Sequence, residues 1–423
     1  MSRLDLVIFG ATGFTGKQAV IHMVRFAKKY DVGSWGVAGR SASKLDALMK
    51  EVSKTTGEDL SNVKVIVADI GDEKSLKDMC AQCKVVVNCC GPYRMYGEPV
   101  VKAAVESKTN YVDVSGEPQF MESMQLRYND QAIEAGVYVI SACGFDSIPA
   151  DMGVTFLKQH FPGTLNSVES YLSGYIPPEI KEESKERGLI NYGTWESLVY
   201  GIAHHNELPA LRKQLFPDPL PRLKPKLQRQ KLLKKDNDWY LPFLGADESV
   251  VYRTQRYLHQ KEQQRPVQYK AYFKSGSLLE SIVAIFGAVL LFLMTKTTFT
   301  RNILLNYPKF CSLGNVTKQG PTENVMKNTH FTFELVGKGW ETGADVENAE
   351  PKKTVVAKVT GTNPGYGATV DALLMCAHTV LNERERMPGT GGVATPGSVF
   401  KNTNLIQKLI DNGLNYEIVE NYV

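Results

Sequence analysis

A short apolar, β-branched run at residues 4–9 ends in Gly10-Ala-Thr-Gly13-Phe-Thr-Gly16 and passes into a helix-compatible stretch at 17–28. A strand that turns into a helix over three glycines restricts the fold more than any other feature of this chain. Glycine permits the sharp turn, lets backbone N–H groups approach a pyrophosphate, and lets the helix pack close to the sheet. The spacing is GxxGxxG rather than GxGxxG, and the alternative is a structural glycine turn without a ligand. A P-loop is excluded: Gly10 to Gly16-Lys17 is one residue too long, and Gln18 stands where Ser or Thr would bind magnesium.

Five more runs, at 35–38, 63–68, 84–88, 111–114 and 137–140, are separated by helix-length segments. Continuous apolar runs suit strands buried on both faces, and six of them with helical crossovers predict an α/β protein with an N-terminal Rossmann, doubly wound parallel sheet. We place this NADP-binding domain at 1–162, with its last helix at 149–160. Beyond it the rhythm changes. The β-rich runs at 166–175, 267–273, 331–337 and 354–360 are widely spaced, and we expect an α+β substrate domain over 163–423 with antiparallel pairing.

Composition excludes some classes and conceals others. With 43% hydrophobic and 22% charged residues over 423 positions, neither a disordered chain nor a polytopic membrane protein is expected, and a net charge of +4 makes no case for nucleic-acid binding. Yet residues 211–235 hold nine Lys/Arg against one Asp, with prolines at 217, 219, 221 and 225, which reads as an exposed basic loop. Within the apolar segment 278–298, residues 282–294 contain no polar side chain. As a helix this core would be about 20 Å long, short of the ~30 Å hydrocarbon layer of a bilayer. It is either a buried core helix or, being apolar on every side and near basic residues, a monotopic anchor for a membrane or lipid droplet. We adopt the anchor. Seven cysteines, mostly in apolar runs, and no signal-peptide pattern point to a cytosol-facing protein with reduced thiols.

The strand ends supply the candidate site. Gly10, Thr12, Gly13, Phe14, Thr15 and Gly16 would cradle the pyrophosphate. Arg40, with Ser41 and Lys44, follows the second strand where a guanidinium favours a 2′-phosphate, so NADP(H) is expected, the alternative being a surface arginine. Asp69, with Ile70, would accept from adenine or cap a helix. Cys90, Gly91 and Pro92 would border the nicotinamide. Hydride transfer also needs an acid or base, for which Tyr93, Tyr96, Glu117 and Asp146 are the candidates. Each has a plainer role: packing for the tyrosines, first-turn helix charge for Glu117, an N-cap before Pro149 for Asp146 with Ser147. No metal is expected, since Cys80-Ala-Gln-Cys83 lacks a second pair and His204-His205 lacks a third ligand.

Taken together, the motifs Gly10 to Gly16, Ala38-Gly-Arg40, Gly91-Pro-Tyr-Arg-Met-Tyr-Gly97, Asp113-Val-Ser-Gly-Glu117 and Cys143-Gly-Phe-Asp-Ser-Ile-Pro-Ala-Asp151 resemble the saccharopine dehydrogenase family. The resemblance is to its saccharopine-dehydrogenase-like oxidoreductases of animals and to bacterial trans-acting enoyl reductases, and it extends through Val251-Tyr-Arg-Thr-Gln255 and Ala394-Thr-Pro-Gly397. It implies an NADP-type fold, oxidoreductase activity and association with lipid droplets and other membranes. The expected partners are a small-molecule or lipid-like substrate and a membrane or lipid-droplet surface, with no nucleic acid; a homodimer and a mitochondrial location are allowed. The favoured reading is an NADP(H)-dependent oxidoreductase acting on a hydrophobic, lipid-related substrate. The alternative is a catalytically silent NADP-binding scaffold on lipid droplets.

Overall fold

The six apolar runs near the start of the chain are strands, alternating with helices as β1 (Leu4–Phe9), α1 (Phe14–Lys29), β2 (Trp35–Gly39), α2 (Ala42–Thr56), β3 (Lys64–Val67), α3 (Glu73–Ala81), β4 (Cys83–Asn88), α4 (Tyr93–Glu106), β5 (Asn110–Asp113), α5 (Pro118–Ala135) and β6 (Tyr138–Ile140). Local chemistry sets the helix ends. Ser41 and Asp72 cap α2 and α3, proline opens α5, and left-handed Gly57 and Gly136 close α2 and α5. The computed structural model describes residues 2–419.

From residue 146 the elements are α6 (Ser147–His160), β7 (Gly163–Tyr175), α7 (Lys181–Arg187), β8 (Ile190–Asn191), α8 (Tyr192–Ala203), α9 (Leu208–Leu215), β9 (Leu233–Lys235), β10 (Asp238–Pro242), α10 (Asp247–Glu262), β11 (Gln268–Gly276), α11 (Leu278–Met294), α12 (Thr298–Asn306) and α13 (Pro308–Cys311). There follow β12 (Val316–Thr317), α14 (Glu323–Asn328), β13 (His330–Glu341), β14 (Lys353–Thr362), α15 (Thr369–Asn382), β15 (Gly392–Ala394), α16 (Pro396–Phe400), α17 (Leu405–Ile410) and β16 (Asn415–Val419).

The chain forms two units. The first runs to Phe145 and regains Leu208–Leu215 and Gly365–Leu409. Its parallel sheet has the order β15-β6-β5-β4-β1-β2-β3, a doubly wound topology with a seventh strand from far downstream. The second unit holds Asp146–Glu207, Phe216–Pro364 and the chain from Ile410, around a sheet of order β16-β14-β13-β7-β11-β10-β9. The boundary therefore falls at Phe145/Asp146, not at the expected 162. The reason is α6, which packs on the second sheet: Gly153 brings it against Leu335, and Leu157 fills the space over Gly337. The expected antiparallel pairing holds except between β7 and β11, which are parallel because a crossover of some ninety residues joins them.

One further expectation changes, and one alternative falls away. Part of the basic segment is ordered: 208–215 is α9, where Arg212 makes a bidentate pair with the buried Glu122, and Arg229 and Lys235 pair with Glu248 and Glu334. Arg222, Lys224, Lys226, Lys231 and Lys234 stay exposed. The apolar segment is a helix, but not a core helix. Ser277 and Glu280 form a capping box that starts α11, and Ser281 is its one buried residue. Leu291 and Met294 touch a small core made by Trp195, Val199, Leu304, Leu305 and Val316. The rest of α11 faces outward, with Leu279 70% and Phe286 72% exposed, beside Phe299, Phe310 and Leu313 of the following turns. Among the described residues no helix is long and apolar enough to cross a membrane.

Candidate functional site

The turn after β1 is shaped by what its glycines lack. Gly10 has φ 79°, and a Cβ on it would lie 2.6 Å from Cys90 Sγ. A Cβ on Gly16 would lie 2.1 Å from Gly10 O, so α1 meets the turn at backbone distance. Gly13 donates to Gly10 O at 2.9 Å and stands at the N-cap of α1 with no side chain to satisfy the first-turn N–H groups of Phe14, Thr15 and Gly16. No acidic residue lies in that turn. An uncapped, positively polarised helix end behind a turn free of Cβ atoms fits a pyrophosphate. Thr12 is exposed on the turn, and the ring of Phe14 meets Tyr366 edge to face at 4.7 Å.

Arg40 is exposed at the end of β2. Burial pushes the Cys90 thiol up to about 12, and Arg40 opposes that shift, so the guanidinium and the β4 loop share one end of the sheet. Ser41 accepts from Lys44 N at 3.4 Å as the cap of α2, while Lys44 itself is exposed. Asp69 does not cap α3: Asp72 does, and Asp69 instead accepts from Gly71 N at 2.8 Å, leaving its exposed carboxylate at the strand end beside half-buried Ile70.

After β4 the chain passes through Cys90 and the cis Gly91-Pro92 bond into α4. Tyr93 is buried, its hydroxyl donating to Asn88 O at 2.9 Å and accepting from Val114 N at 3.4 Å. Burial pushes that hydroxyl well above its usual pKa. Glu117 is buried too, and its carboxylate accepts from Tyr93 N at 2.9 Å and Arg94 N at 3.0 Å. It therefore caps α4, across 24 residues, rather than supporting its own helix. These bonds give both residues a structural use: their polar atoms hold the loop that would border a nicotinamide. Tyr96, three residues on, is 41% exposed. Asp146 lies in the second unit, at the N-cap of α6, but its side chain makes no capping bond, contrary to that alternative.

One group was missed by the sequence reading. Asp113, at the end of β5, accepts from Tyr111 OH at 2.8 Å, Ser141 Oγ at 3.0 Å and the N–H groups of Ser115 and Ala142 at 2.9 and 3.2 Å. Burial nevertheless raises its pKa to about 6. It ties together the ends of β4, β5 and β6, since Asn88 Nδ2 also donates to Tyr111 OH at 2.9 Å.

A doubly wound parallel sheet with an open phosphate turn after β1 and an arginine after β2 fits a dinucleotide-binding domain of the NADP(H) type. The NADP-binding domain of saccharopine dehydrogenase matches residues 6–140. The chain belongs to the saccharopine dehydrogenase-like oxidoreductases: it is 40% identical to the Mus musculus protein of that name, covering 98% of this chain and 97% of the mouse one. A Caenorhabditis elegans lipid droplet localized protein is 38% identical over the whole of both chains. Among solved structures, apo saccharopine dehydrogenase (L-Glu forming) from Saccharomyces cerevisiae shares the fold, with a TM-score of 0.56 and 18% identity over 98% of this chain and all of the yeast one.

Proposed function

We propose that the protein uses NADPH to reduce a hydrophobic, lipid-related substrate while attached to a membrane or lipid-droplet surface. The observation that carries this reading is α11: bulky apolar side chains stand in water on most of its circumference, and patches of that kind mark an interaction surface. The exposed lysines and arginine of 222–234, on the same unit, supply the positive charge that phospholipid headgroups attract.

In this reading Gly10, Thr12, Gly13, Phe14, Thr15 and Gly16 hold the pyrophosphate. Arg40, Ser41 and Lys44 hold the 2′-phosphate, Asp69 and Ile70 border the adenine, and Cys90, Gly91 and Pro92 border the nicotinamide. Bound NADPH supplies a hydride. Tyr96, Asp146 or Glu117 supplies the proton, and the bonds of Tyr93 and Glu117 fix the loop of Cys90 to Pro92 that leads into α4. The test is NADPH oxidation by the full-length protein with enoyl and carbonyl lipids displayed on phospholipid-coated droplets. Turnover that falls when Phe286 and Leu290 are both replaced by Glu supports the reading. Tight NADPH binding with no turnover on any lipid favours the silent scaffold, a reading that the structural use of Tyr93 and Glu117 supports.

A further inference from the structure

A late stretch of the chain returns to the phosphate turn. Gly365–Leu409 belongs to the first unit, and its helix α15 lies beside α1 and packs across β4 and β5. The two helices run in the same direction. Phe14 at the start of α1 meets Tyr366 just before α15, and further along His22 and Arg25 bond to Asp371 Oδ1 at 2.8 and 2.9 Å. Beyond them the rings of Phe26 and Tyr30 lie 5.8 and 5.1 Å from that of His378. Helix α15 therefore brings its N-terminal end to the edge of the sheet at which the glycine turn opens.

The lead-in to α15 is a single π turn, Pro364–Ala368, a widened form of helix that recurs at functional sites. It is anchored at two places. At one, the Tyr366 ring, 5% exposed, meets half-buried Phe14 edge to face. At the other, Thr369 Oγ1 accepts from Phe145 N at 3.0 Å, and Thr369 Cγ2 sits 3.0 Å from the point where a Cβ on Gly144 would be. Phe14 follows β1, whereas Gly144 and Phe145 follow β6. Since β4 and β5 stand between those two strands, residues 366–369 cross the sheet edge from which the loop of Cys90 to Pro92 leaves β4.

A segment so placed has a use. The first turn of α1 offers N–H groups that only a fixed backbone can aim at a pyrophosphate, and a site held still before its ligand arrives loses less freedom on binding. Phe14 belongs to that turn, and its side chain is held by a ring that is itself buried. We propose that Tyr366 is a positioning residue of the NADP(H) site, acting through Phe14, and that residues 365–369 close the half of that site away from Arg40. The inference concerns cofactor binding alone and does not rest on the reductase reading or on a lipid substrate.

Isothermal titration of the full-length protein tests it with two ligands: NADPH, and adenosine 2′-monophosphate, which has the adenine and the 2′-phosphate but no pyrophosphate. Tyr366→Ala should weaken NADPH binding about 10-fold, the upper end of what an aromatic pair contributes, and leave the monophosphate within about two-fold. Tyr366→Phe, which keeps the ring, should hold NADPH within about two-fold of the wild-type affinity. Unchanged NADPH affinity in Tyr366→Ala, equal weakening of both ligands, or a Tyr366→Phe protein as weak as Tyr366→Ala overturns the proposal. If Tyr366→Ala fails to fold, hydrogen exchange of the wild-type protein decides: NADP⁺ should slow exchange at 365–369 and the monophosphate should not, and a segment indifferent to NADP⁺ refutes it. Because no turnover is measured, failure here leaves the reductase reading standing, and failure of lipid turnover leaves the role of Tyr366 standing.

Discussion

The first turn of α1 and the surface of α11 are opposite kinds of incompleteness. At α1 the chain leaves first-turn N–H groups without a side-chain cap, behind Gly10 and Gly16, where a Cβ would collide with its neighbours. At α11 both ends are capped, by the Ser277–Glu280 box at the start and by Thr295 N–H at the last carbonyls, and it is apolar surface that is left open. Unmet hydrogen-bond donors call for an anion. Unmet apolar area calls for a surface that excludes water. The two units thus differ in the ligand chemistry they invite.

The strongest way to break the contrast is to charge α11. Full burial of a Leu or Phe contributes roughly 1.5–3 kcal/mol, so Phe286→Glu with Leu290→Glu should cut flotation with phospholipid-coated droplets by at least about 100-fold while NADPH affinity stays unchanged. The converse is Gly10→Ala. A Cβ at 2.6 Å from Cys90 Sγ, on a residue with positive φ, should weaken NADPH binding about 100-fold, as overpacking typically costs about 1–3 kcal/mol, with droplet flotation intact. Arg40→Ala should raise the NADPH dissociation constant about 10-fold or more by fluorescence titration, the cost of a charge-assisted bond, and leave NADH nearly unaffected; equal effects on both would remove Arg40 from the 2′-phosphate. The smallest change is Glu117→Gln, which loses one of two acceptors at the start of α4 and should lower stability in urea by about 1 kcal/mol.

The first unit was largely legible in the sequence because its strands are buried on both faces and announce themselves as unbroken apolar runs. Its phosphate turn was legible because only glycine serves there. What stayed hidden depended on partners remote in sequence. Glu117 looks like an ordinary first-turn acid until its carboxylate meets the N–H groups of Tyr93 and Arg94. Helix α6 has the pattern of a last Rossmann helix, since amphipathicity says that a face is buried but not against which sheet. The composition of 278–298 could not separate a core helix from an exposed one, because both are apolar all round; exposure separates them.

The strand β15 gives the molecule a history as well as a shape. Residues 392–394 pair with β6, so the sheet begun at residue 4 has an unfinished edge until residue 394 has left the ribosome. During synthesis the oldest part of the protein waits longest for its final neighbour. A premature stop codon that removed residues 392–394, far from any glycine of the phosphate turn, would therefore damage the domain that was translated first.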